Sequence, residues 1–342
     1  KLSDRLKYIW LSDTAPVKQA REAQKFDQAI TLDAQIARVR QEIERALSDD
    51  DARRRMIATA CYLIDALCLR VGDEKEADEA DTVGATTLRP EHVTLHDDGR
   101  AEFRFLGKDS VEWHKTITLP PQVLANLQEL IAAARPSAAA SNGNGAARDL
   151  PQLFPDVNSG HVNAFLSGIL PGLSAKVFRT HHATRAVEDS LRAAKVKAAD
   201  AEYRKWQAAS EANLEAAMLC NHTKQWRGDA EALAQRHRER RAKAEERLAR
   251  AKRQERDCRA ALKALQQEAK EREAEAADAD KARAIKARYQ KRQATARKRL
   301  AAASERRQRA AEALGKIDAQ YAIAQQKRTW NLGTSLKSYI DP

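Results

Sequence analysis

From residue 229 to residue 314 the chain contains neither glycine nor proline. That stretch is built almost wholly from Ala, Arg, Lys, Glu and Gln, the residues that lose least on entering a helix. A segment of this length and composition has to be long helix. Its apolar seam is thin: Ile285, Tyr289, Ala296, Leu300, Ala303, Ala310 and Leu314 recur at steps of 3, 4 and 7. An earlier seam runs through Leu248, Ala251, Cys258, Leu262 and Leu265, and an acidic patch over residues 268–280 separates the two. The pattern predicts an antiparallel coiled-coil hairpin turning near residues 276–280. At 1.5 Å per residue, each arm of about 47 residues would reach roughly 70 Å.

Charge marks the same segment. The whole chain of 342 residues carries 61 Lys/Arg against 49 Asp/Glu, a net +12. Residues 227–328 hold 30 basic and 16 acidic side chains, a net +14, which leaves 31 basic and 33 acidic elsewhere, a net −2. One segment therefore carries all the basicity, as expected of a partner for a polyanion. Two readings of the arm stay open: a solvated structural spacer, or a face that meets DNA. Eight of the nine prolines lie at or before Pro171, so the preceding part is punctuated differently.

There, residues 18–47 and 51–69 read as amphipathic helices, with Asp49-Asp50-Asp51 as a capping cluster between them. Residues 86–95 are β-rich. Asp98-Gly99 is a hairpin signal, residues 101–106 alternate, Gly107-Lys108-Asp109 is a second tight turn, and residues 111–119 alternate again. This predicts a three-stranded antiparallel sheet with Lys108 at a hairpin tip. Helix is expected over 122–134, 163–173, 179–194 and 199–221, and a low-complexity loop over 136–147. The fold class expected is α+β, mostly α. A helical core with a small sheet fills residues 1–226, the basic hairpin linker residues 227–328, and a C-terminal segment residues 329–342.

Several chemistries are excluded. No phosphate-binding glycine loop is present, so nucleotide binding by that device is not indicated. The four cysteines (Cys61, Cys68, Cys220, Cys258) form no CxxC pair, and no His/Cys cluster has metal spacing. Adjacent His181 and His182 would point apart on a helix. The carboxylates between Asp73 and Asp81 lack the spacing of a calcium loop. No metal and no cofactor are expected. No apolar run approaches the roughly 20 residues that span a bilayer, and no signal peptide opens the chain, so a reducing compartment is the expectation. The first residue is Lys1 rather than Met, as in a trimmed or processed chain.

Five short motifs remain: Leu69-Arg70-Val71-Gly72-Asp73-Glu74-Lys75-Glu76, Phe105-Leu106-Gly107-Lys108-Asp109-Ser110, Ala175-Lys176-Val177-Phe178-Arg179-Thr180, Leu219-Cys220-Asn221-His222, and the closing run Leu332-Gly333-Thr334 through Tyr339 to Pro342. With the Ala-Asp-Thr-Val-Gly run ending at Gly84, and in this order, the chain resembles eukaryotic-type DNA topoisomerase IB. The likeness runs from Lys7-Tyr8-Ile9 to the last residue, and is looser in the 136–148 loop and the hairpin.

That resemblance implies a reaction that relaxes supercoiled duplex DNA without ATP. Tyr339 would be the nucleophile that forms a 3′-phosphotyrosyl bond. Arg70 and Arg179 would clamp the scissile phosphate, His222 would donate a further hydrogen bond, and Lys108 would protonate the leaving 5′ oxygen. Planar, always-charged arginines suit bidentate phosphate contact, and such chemistry rests on positioning and electrostatics. Lys75, Thr82, Asp109, Lys176, Thr180 and Thr334 inherit DNA contact by the same resemblance. Duplex DNA is the implied partner. In a eukaryote the protein would be nuclear, and otherwise cytoplasmic or viral.

The departures are local. The family's Ser-Lys-x-x-Tyr run is here Ser335-Leu336-Lys337-Ser338-Tyr339, with the lysine one place late. The residue before the tyrosine, commonly Asn and near the camptothecin site in the family, is Ser338. The family's cap domain and the short segment after the nucleophile have no counterpart expected in this sequence, and a cap domain or subunit is an expected further partner. Tyrosine recombinases share the five-residue chemistry but generally place His three residues before the second arginine, where this chain has Lys176. A non-enzymatic DNA-binding scaffold would have lost one of the five residues.

Overall fold

A computed structural model describes residues 12, 15–72, 82–134 and 151–340. Lys7-Tyr8-Ile9, Lys75, the carboxylates from Asp73 to Asp81, the 136–147 loop and Asp341-Pro342 lie outside the described residues. The order of elements is α1 (Pro16–Ala46), α2 (Ala52–Leu67), β1 (Val93–Leu95), β2 (Arg100–Gly107), β3 (Val111–Thr118), α3 (Pro121–Ala134), α4 (Ser159–Ile169), α5 (Ala175–Ala194), α6 (Glu202–Leu219), α7 (Ala230–Ala274), α8 (Ala279–Gln326) and α9 (Leu332–Tyr339). The mostly helical α+β class is as expected. Among the described residues no helix is long and apolar enough to cross a membrane.

The chain divides into two compact units, one of residues 1–193, 212–224 and 329–342, the other of residues 194–211 and 225–328. In the first unit, Asp51 caps α2 by accepting from the Arg53 N–H. Leu32, Leu63, Ile64, Leu67, Phe103, Phe154 and Phe178 are fully buried in one continuous core. The sheet runs β1-β2-β3, all antiparallel, with Phe103 opposite Lys115 and Gly107 opposite Val111. Gly99 takes a φ of +80° in the β1–β2 turn, which glycine allows without strain.

Several boundaries depart from the sequence reading, helix α4 among them, at Ser159–Ile169 rather than 163–173. Only residues 93–95 of the β-rich 86–95 stretch form strand; residues 85–87 and 90–92 are single 3-10 turns. Thr86 is the reason: its N–H donates to Val71 O at 2.7 Å, and its hydroxyl to Gly72 O at 2.8 Å. The segment is thus spent on holding the chain after α2 rather than on the sheet. Helix α5 also starts four residues earlier than expected. Asn163 Oδ1 accepts the Ala175 N–H at 3.0 Å, and the burial of Val177 and Phe178 draws Lys176 to Phe178 into its first turn.

The second unit is the long hairpin with the start of α6. Helices α7 and α8 meet around residues 275–278, where Asp278 caps α8 by accepting from the Lys281 N–H. Ala244, Ala269, Tyr289, Ala303, Ala319 and Ile323 are buried along the arms. Polar ties reinforce so thin a seam: Glu255 to Arg307 at 2.6 Å, the Tyr289 hydroxyl to Glu268 at 2.6 Å, and His237 stacked on Tyr321 with ring centres 4.0 Å apart. The acidic patch expected to interrupt the seams begins with Glu268, which is one of those ties. Gly315, inside α8, makes room for Tyr203 of α6; a Cβ there would lie 2.5 Å from the Tyr203 hydroxyl.

Candidate active site

Arg70 leaves the end of α2 through an irregular backbone. Cys68 closes the helix at φ +55°, a left-handed conformation costly for a residue with a Cβ. The Arg70 carbonyl then accepts the Ala85 N–H at 2.9 Å. Gly72 and Gly84 cross so closely that a Cβ on Gly84 would lie 2.4 Å from Gly72 Cα. The same crossing segment reaches β2, where the Val83 N–H donates to Leu106 O at 2.8 Å. Two backbone bonds therefore fix the strand leading to Lys108 to the loop that carries Arg70.

Lys108 opens the turn Lys108–Ser110 between β2 and β3 and is exposed to solvent. The turn closes with Ser110 at φ +56°. On the other side of the site, α6 ends at Leu219 and the chain reverses through Asn221, at φ +53°, into His222. Non-glycine residues with positive φ thus stand within two residues of three of the five motif positions. Such strain collects where surrounding structure must hold a functional side chain in place.

Arg179 lies on the inner face of α5, 7% exposed, with one guanidinium nitrogen donating to the Cys220 carbonyl. Tyr339 ends α9, which buries Leu332, Ser335 and Tyr339, the last two a helical turn apart. The Tyr339 ring stacks on His222, with centres 5.8 Å apart and planes 13° from parallel. His222 Nδ1 is 2.8 Å from Ser335 Oγ. When that hydroxyl donates, the neutral imidazole keeps its proton on Nε2. His222 Nε2 and Arg179 Nε are both buried, and neither has a hydrogen-bond partner among the described residues.

The electrostatics agree with this crowding. Burial lowers the His222 pKa to about 4, and the charges of Arg179 and Arg70 push the same way. Burial raises the Tyr339 phenol above its ordinary value, with Arg179 and Arg70 pulling against it. Arg70, Arg179, His222 and Tyr339 are therefore brought together. Among the described residues Lys108 shows no ion pair or side-chain hydrogen bond to the other four; its tie to them is through backbone.

The remaining expected positions fall around this centre. Lys176 and Thr334 are exposed, and Thr82 is half-exposed at the start of the crossing segment. Thr180 is buried, its hydroxyl 3.5 Å from Lys176 O. Asp109 lies in the hairpin turn. Three contributors were missed by the sequence reading. Ser335 orients His222; its signal was its place as the serine of the run that ends at Tyr339. Lys25 of α1 is buried, donates to Ser338 O at 2.5 Å, and places its ammonium 5.7 Å from the Tyr339 ring centre. Lys115 of β3 donates to Leu219 O at 3.4 Å. It occupies an inward position of an alternating strand, the one mark that sets it apart from a surface lysine.

The family model for the catalytic core of eukaryotic DNA topoisomerase I matches residues 14–255. The chain belongs to that family. Among relatives of the topoisomerase I family, DNA topoisomerase 1 of Candidozyma auris is 36% identical over 221 residues, covering 65% of this chain and 28% of that protein. Human DNA topoisomerase 1 is 34% identical over 224 residues, covering 64% of this chain and 27% of that protein. The mitochondrial DNA topoisomerase I of the rat is 35% identical over 227 residues, covering 65% and 36%. The chain thus spans about a quarter to a third of the length of the topoisomerase I relatives it matches.

Proposed function

We propose that this chain carries the cleavage and resealing chemistry of a type IB DNA topoisomerase, with duplex DNA as substrate and neither nucleotide nor metal in the reaction. The observation that supports it most is the pair of buried donors, Arg179 Nε and His222 Nε2, left without partners beside a buried tyrosine. Leaving two such donors unpaired is costly. An anion between them and Tyr339 satisfies both, and a phosphodiester supplies two non-bridging oxygens.

In this reading the Tyr339 oxygen attacks phosphorus and the bond to the 5′ oxygen breaks. A 3′-phosphotyrosyl link and a free 5′ hydroxyl result. Arg70, Arg179 and His222 hold the charge that builds on the non-bridging oxygens. Lys108, extended on its hairpin tip, gives the leaving oxygen its proton. Burial disfavours the phenolate while the charges of Arg179 and Arg70 favour it, and the phenol gives its proton to water as its oxygen attacks. Resealing is the reverse attack by the 5′ hydroxyl, so the bond energy is kept. Lys75, Thr82, Asp109, Lys176, Thr180 and Thr334 are the further DNA contacts of this proposal. A cap domain or subunit would complete the grip on the duplex, a part for which the relatives' greater length leaves room. The protein would act where duplex DNA is held, in a eukaryote the nucleus.

The test is relaxation of a supercoiled plasmid in EDTA without ATP. Relaxed topoisomers with transient covalent attachment at Tyr339 are the expected result. A requirement for ATP or a divalent ion, or no covalent species on a nicked suicide substrate, would overturn the assignment.

A further inference from the structure

Lys115 does something that neither the sheet nor the core requires. On β3, Glu112, His114 and Thr116 face solvent, while Trp113, Lys115 and Ile117 face inward. An ammonium at such a position costs free energy that an apolar side chain would not. Burial accordingly holds the Lys115 pKa below the ordinary lysine value, and the charge of Arg179 adds to the fall. Its stem runs past Trp113, with Nζ 4.8 Å from the ring centre, and its head donates to Leu219 O.

Leu219 begins the turn that delivers His222. The same strand holds that turn a second time: Asn221 Nδ2 donates to Glu112 O at 2.7 Å. Arg179 holds it a third time through Cys220 O. Three successive residues, 219 to 221, are therefore each tied down, two of them to β3. Glu112 is two residues beyond the turn that presents Lys108. The other end of that turn is fixed to the Arg70 loop through Leu106 and Val83.

We propose that Lys115 is a positioning residue: together with the Asn221–Glu112 bond it docks the hairpin bearing Lys108 onto the turn bearing His222. In this way it sets the distance between the proton donor and the scissile phosphate. The proposal rests on the reading of Lys108 as the proton donor. It separates Lys115 from a phosphate ligand, because the ammonium points to a carbonyl of the protein.

The experiment compares cleavage of an ordinary suicide duplex with one whose 5′-bridging oxygen is sulfur, which leaves without a proton. With the parent chain both substrates should be trapped covalently. Lys115→Met should slow the oxygen substrate by about 10-fold to 100-fold, the effect of a displaced catalytic group. It should leave the sulfur substrate within a few-fold of the parent, and Lys115→Arg should recover most of the loss. Equal slowing of both substrates, or slowing of neither, would overturn the proposal; the first outcome would mark a phosphate contact or general disruption. Should Lys115→Met fail to fold, Asn221→Gly removes the other tie at a backbone angle glycine accepts. It must then show the same split between substrates, and equal slowing there overturns the proposal as well. A parent chain that traps neither substrate fails the topoisomerase reading instead, and a Lys108→Ala chain not rescued by sulfur fails the proton-donor role.

Discussion

Tyr339 and His222 are buried side by side, and burial favours the neutral form of each. Tyr339→Phe removes only the attacking oxygen and keeps the ring on His222. Covalent trapping on a suicide duplex should vanish, while gel-shift affinity for duplex stays within a few-fold; trapping at the parent level would remove Tyr339 from the reaction. Lys108 differs, since its ammonium is in solvent and its loss disturbs no packing. Lys108→Ala should slow cleavage by about 10²-fold to 10⁴-fold, the usual worth of a general acid, and a 5′-bridging sulfur should restore most of it. His222 has a pKa of about 4 in the fold against an ordinary value of 6.5. Its folded value is depressed, so the unfolded chain binds this proton more tightly. The stability it contributes is present above pH 6.5 and is lost as pH falls from 6.5 toward 4. Thermal unfolding followed over that range without DNA should show a falling Tm, and His222→Gln should flatten that limb. An equal fall in both proteins would place the titration elsewhere.

At the scale of elements, the crossing of Gly72 and Gly84 joins the Arg70 loop to the hairpin strand. Gly84→Ala would put a Cβ against Gly72 Cα, main chain that has no room to yield. The variant should lose several °C in Tm and cleave both oxygen and sulfur substrates more slowly, because Arg70 moves with the loop. An unchanged Tm and rate would show the crossing to be adaptable. Much at this level was legible beforehand. Periodicity gave the helices to within a few residues, and turn residues gave the three strands and the place of Lys108. What escaped notice depended on distant partners. Residues 86–92 have the composition of a strand, but Thr86 spends its hydrogen bonds on Val71 and Gly72, far away in sequence. Gly315 breaks the helix-former rule because Tyr203 needs the space. Lys115 and Lys25 are ordinary lysines in sequence, and only burial distinguishes them. The motif residues themselves were readable because their order along the chain is specific, whereas Ser335 acts through a contact made 113 residues away.

In the whole molecule the basic hairpin is an insertion between two residues of one site, His222 and Tyr339. Its net +14 against −2 elsewhere should supply most of the sequence-independent affinity for duplex. Shortening both arms symmetrically between Glu245 and Arg307 should make the salt dependence of binding shallower and leave cleavage intact. An unchanged slope would show that the arms meet no phosphate. Loss of cleavage in a folded protein would show that they place the tyrosine. The base of the insertion argues for survival. Thr223 and Trp330 form a β-bridge, the Lys224 N–H donates to Thr329 O at 2.9 Å, and the Asn331 N–H donates to His222 O at 2.6 Å. This stem joins the two strands leaving and re-entering the core, so the spacing of His222 and Tyr339 is set there rather than through the hundred residues between. The two arms are continuous helices that pair with each other, so equal changes to both leave the stem as it is. Arm length and arm charge should then be adjustable, for grip on the duplex, without retuning the chemistry at the root.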